Sequence, residues 1–83
     1  MTGAATTRGQ IDIVMIGFPG KKRTTYAITW GTEKGRRWLR RYFRGDGITV
    51  DGRTVYHLGR KKLADFVGMV LTTHGLSYRT IEL

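Results

Sequence analysis

The dipeptide Asp51-Gly52 stands between two short β-forming runs, Ile48 to Val50 and Arg53 to Leu58. A two-residue Asp-Gly loop takes the type I′ turn, whose positive φ at both central residues matches the twist of paired strands. This pair is the strongest local constraint on the chain, because it commits residues 48–58 to an antiparallel hairpin around which the rest must be arranged.

A second hairpin is expected upstream. Ile11 to Ile16 is rich in β-branched residues and stops at Gly17, while Thr24 to Trp30 alternates so that Tyr26, Ile28 and Trp30 share one face. Between them, Gly17, Pro19 and Gly20 punctuate a turn, and Lys21, Lys22 and Arg23 are three consecutive cations that do not belong in a core. The reading is a hairpin with a basic tip.

Two segments change to helical spacing. Thr32 is placed to cap a helix running to about Arg44, with Gly35, Trp38, Leu39, Tyr42 and Phe43 as its buried stripe and Gly45 as its left-handed stop. A second helix, about 60–74, has Leu63, Phe66, Val67, Val70, Leu71 and His74 on one stripe, with Gly75 as its stop. Leu76 to Leu83 completes the chain as a strand. The order ββαββαβ predicts an α+β two-layer sandwich, a mainly antiparallel five-stranded sheet with both helices on one face and its strand order open.

Residues 1–10 are small and polar and are expected to form a flexible lead, leaving 11–83 as a single domain. A chain of 83 residues has a small core, and without cysteine it has no disulfide or thiolate zinc site to support it. The N-terminal stretch has no signal-peptide pattern and no window resembles a membrane span, so a cytoplasmic protein without membrane partners is expected.

Charge dominates the functional reading. Fifteen Lys and Arg face six Asp and Glu, a net charge of +9 that favours a polyanionic partner over mere solubility. The cations fall in three groups: Lys34, Arg36, Arg37, Arg40, Arg41 and Arg44 on the first helix, Arg60, Lys61 and Lys62 at the start of the second, and Lys21, Lys22 and Arg23 at the hairpin tip. Arginine presents a planar fork to phosphate, and only Glu33 offers local acid compensation on the first helix. Dipole complementarity accounts for some of the last-turn arginines but not for the whole row. At the second helix start the cations oppose the macrodipole, which an anion bound there would offset, with Asp65 as a local partner for Lys61 or Lys62. Tyr26, Tyr56 and Tyr78, one per strand, are the residues assigned to base stacking, whereas Trp30, Trp38 and Tyr42 are read as core.

Catalysis has little support in the sequence. His57 and His74 are read as structural, and the carboxylates Asp12, Glu33, Asp46, Asp51, Asp65 and Glu82 are scattered without metal-ligand spacing. No metal or cofactor is expected. The composition implies a non-enzymatic nucleic-acid-binding accessory protein, monomeric or homodimeric, that holds the phosphate backbone with low sequence specificity. A different class fits the same charge: a phage or mobile-element inhibitor or adaptor, of anti-CRISPR or other anti-defence type, docking on an acidic protein or nucleoprotein surface. A small nuclease or toxin using His57 is the third.

Overall fold

The computed structural model describes residues 10–44 and 47–83; Gly45 and all but the last residue of the expected N-terminal lead lie outside them. The elements are β1 (Ile13–Phe18), β2 (Thr25–Trp30), α1 (Glu33–Phe43), β3 (Ile48–Val50), β4 (Arg53–Gly59), α2 (Lys61–Thr73) and β5 (Tyr78–Glu82). One five-stranded sheet has the order β3-β4-β2-β1-β5, antiparallel except where β5 runs parallel to β1. The fold is thus the α+β sandwich that the element order implies.

Both hairpins form. β1 and β2 pair from Ile13↔Trp30 to Phe18↔Thr25, and β3 and β4 pair across the turn at Val50↔Arg53. Asp51 and Gly52 have φ of 53° and 76°, the positive pair that a type I′ turn requires. The helices supply the two crossovers. α1 joins β2 to β3 on the far side of β4, and α2 joins β4 to β5 past β2 and β1. Pairing between β2 and β4 slips at Tyr26 and Ala27, and Gly59 follows with φ of 80°, which turns the chain off the sheet into α2.

The core lies on the helix side of the sheet. Ile13 and Met15 from β1, Tyr26 and Ile28 from β2, and Tyr56 and Leu58 from β4 meet Leu39 of α1 and Ala64, Val67 and Leu71 of α2. Ile13, Ile28, Leu39 and Leu71 are fully buried, each contributing about 1.5–3 kcal/mol of transfer free energy. By the strand alternation, the opposite face carries Val14, Ile16 and Phe18 of β1, Ala27 of β2 and Ile81 of β5. No helix of the structure is long and apolar enough to cross a membrane, among the described residues.

The helix stripes differ from the expected ones. In α2 the inward residues are Ala64, Val67, Gly68 and Leu71, whereas Leu63 and Phe66 are exposed and His74, expected to continue the core stripe, is exposed as well. Gly68 explains the rotation: a Cβ there would strike the Tyr78 hydroxyl at 2.6 Å, so the small residues let the helix settle close to β5. In α1 the stripe is oriented as expected, but only Gly35 and Leu39 are buried. Trp38 and Phe43 are half-buried and Tyr42 is exposed. The left-handed residue at the end of α1 is Arg44, with φ of 51°.

Candidate functional site

The start of α1 is fixed by a carboxylate. Thr32 is extended and its hydroxyl accepts the Gly35 N–H at 3.2 Å while donating to Asp12 Oδ1 at 2.6 Å. The other Asp12 oxygen accepts the Ser77 N–H at 3.1 Å and the Ser77 hydroxyl at 3.3 Å. Burial opposes ionisation of Asp12, but the bonds from Thr32 and Ser77, with Lys34 close by, outweigh it and hold the carboxyl below its ordinary value. At Gly35 any Cβ would collide with the Asp12 carbonyl, so α1 approaches the beginning of β1 as closely as backbone allows.

This anchoring sets the direction of the α1 cations. Lys34, Arg37, Arg40 and Arg41 line an open cleft of about 690 Å³ whose remaining walls are Trp38 of α1 and His74 and Leu76 just beyond α2. The Lys34 ammonium donates to the Gly75 carbonyl at 3.2 Å, and the Trp38 indole N–H donates to His74 Nδ1 at 2.9 Å. The latter bond needs a neutral His74 carrying its proton on Nε2. Trp38 also stacks on Tyr42, with centroids 4.6 Å apart and planes 12° apart, and an aromatic ladder continues through Phe43 to Tyr56 in the core. Among the described residues, no carboxylate bridges any of the four cleft cations.

The other two α1 arginines are placed elsewhere. Arg36 forms a bidentate pair with Glu33 at 2.8 and 2.9 Å, and these bonds hold the Glu33 carboxyl low. Arg44 occupies the left-handed cap. The expected six-residue comb therefore divides into four cations facing a cleft, one paired and one capping.

The remaining two basic groups approach each other. Arg23 and Thr24 from the hairpin tip, Tyr26, and Arg60 and Lys61 from the start of α2 enclose a second hollow of about 420 Å³. Lys61 is paired with Asp65 at 3.0 Å, which raises the lysine pKa, and Lys21, Lys22 and Lys62 are exposed. This hollow is at the first residue of α2 and the α1 cleft is at its last. With 13 residues in the helix, the two are about 20 Å apart along its axis.

The tyrosines expected to stack bases do not share an open surface. Tyr26 and Tyr56 face the helices and are 4% and 3% exposed, because their strand positions alternate inward with Ile28 and Leu58. Their rings are core, and the Tyr26 hydroxyl donates to Glu82 at 3.2 Å. Tyr78 is partly exposed over Gly68. The aromatic pair beside the cations is instead half-buried Trp38 stacked on exposed Tyr42, both of which helical spacing alone assigns to the core; the signal that sets them apart is that Lys34, Arg37 and Arg41 share the Trp38 flank of the helix. His57 lies exposed on β4, and among the described residues no three His, Asp or Glu side chains gather as a metal site would need. The fold and site define a two-layer α+β domain with an arginine-rimmed aromatic cleft. No protein-family model, curated protein or solved structure matches the chain.

Proposed function

We propose that this chain is a non-enzymatic nucleic-acid-binding protein whose primary contact is the α1 cleft. The observation that carries the reading is the convergence of Lys34, Arg37, Arg40 and Arg41 on one aromatic-walled cleft without a bridging carboxylate among the described residues. Four like charges in so small an area repel one another, and a row of phosphates relieves that repulsion while accepting the arginine forks. Backbone contacts of this kind position a strand without reading its sequence, so low specificity is expected. The tip and α2-start cations provide a second, separate contact for a longer ligand.

Titration with duplex DNA, single-stranded DNA and RNA at about 50 mM and about 200 mM salt tests the reading. Binding that falls steeply with salt is expected. The combined variant Arg37→Gln, Arg40→Gln, Arg41→Gln should weaken binding at least tenfold at low salt while shifting Tm by no more than a few degrees, since all three side chains are exposed. Absence of binding to all three ligands at low salt would sink the proposal and assign the same arginines to an acidic protein surface.

A further inference from the structure

The geometry of the cleft points to a ligand with an unpaired base. We infer that single-stranded nucleic acid, DNA or RNA, places a base against the Trp38 indole while its flanking phosphates lie on Arg37, Arg40 and Arg41; this rests on the nucleic-acid reading above and narrows it.

Three observations lead there. Trp38 is half-buried, packed against the core on its inner side and stacked by Tyr42, and the rest of its indole borders the cleft where the cations converge. The ring is also held still: Tyr42 stacks on it, His74 takes its N–H, and Phe43 and Tyr56 tie the ladder to the sheet. A platform already fixed loses little conformational freedom when a second ring settles on it. Finally, Trp30, the other tryptophan, has the Arg53 guanidinium over its ring at 4.1 Å, whereas Trp38 has rings as its neighbours. Bases in a duplex have both faces covered by stacking and their edges paired, so a duplex would touch the arginines and leave the indole unused. A single strand uses both. Base stacking on aromatic side chains combined with a cationic track is the general solution for such ligands.

The test compares a short oligothymidylate and oligouridylate with an oligomer of equal length and charge lacking bases, using the full chain at about 50 mM salt. Losing the bases should weaken binding about fivefold or more for each stacked base. Trp38→Leu should lower oligothymidylate affinity to that of the abasic strand and leave abasic affinity unchanged. Equal affinity for the intact and abasic strands overturns the inference, even if the variant does not fold, while leaving phosphate binding intact, and so does a base-dependent affinity that Trp38→Leu does not change. Binding of neither strand overturns the nucleic-acid reading itself.

Discussion

Asp12 ties together three segments that are remote in the chain: the approach to β1, the cap of α1 through Thr32, and the run into β5 through Ser77, which also accepts the Asp12 N–H at 3.0 Å. Its carboxyl is lowered in the folded state, so its contribution to stability is full above the ordinary carboxylate value and is lost as pH falls through the depressed folded one. Asp12→Asn keeps an acceptor for Thr32 but turns an amide toward the Ser77 donors, and should cost about 1–2 kcal/mol at neutral pH. Urea titrations at a series of pH values would check this: the gap between parent and variant should close under acid conditions, and a gap that persists there would assign the loss to packing. Glu33 has the same sign of shift, but its pair with Arg36 is exposed and worth little. Neither the role of Asp12 nor its partner could be read from sequence. It appears there as one of several scattered carboxylates, and its partner Ser77 is 65 residues away.

The two helices show which periodic signals are decisive. α1 has few apolar residues among many cations, so its arc admits one orientation and the buried direction of Gly35 and Leu39 follows from spacing. Depth does not follow from spacing, and Trp38 and Tyr42 lie on the flank, where Trp38 lines the cleft and Tyr42 stacks on it. α2 is apolar over a much wider arc. Its largest residues suggest one stripe, but Ala64 and Gly68 allow closer approach, and the helix is rotated by roughly 80° from the expected stripe, at 100° per residue. Close approach also governs α1. A Gly to Ala change inside a helix ordinarily gains about 1 kcal/mol, but Gly35→Ala would drive a methyl into the Asp12 carbonyl. It should instead destabilise by about 1–3 kcal/mol, measured by chemical denaturation, and should loosen oligonucleotide binding because the cleft is built on the same helix. A stabilised variant would show that α1 can move away from β1 without loss.

Across the whole molecule, both hairpins and the final strand were legible because each is a local decision, taken by a turn or an alternating run. The strand order was not, since both helical connections cross the sheet and nothing local says which strands they pass. Charge has the same limit. Three basic groups are visible in the sequence as equals, yet the crossover of α2 gathers two of them at its first residue and leaves the α1 cleft near its last, about 20 Å away along the helix. Ligand length should therefore separate them. On an oligonucleotide too short to span that distance, Lys21→Gln, Lys22→Gln and Arg23→Gln together should change neither affinity nor salt dependence. Replacing Arg37, Arg40 and Arg41 by glutamine should flatten the log-log salt slope by about 2, at about 0.7 per phosphate on a single strand. On a longer strand each triple variant should flatten the slope, because both contacts release counterions. If the tip variant weakened the short oligonucleotide as much as the cleft variant did, the tip would belong to the primary site, and the division of the positive charge into two contacts would be wrong.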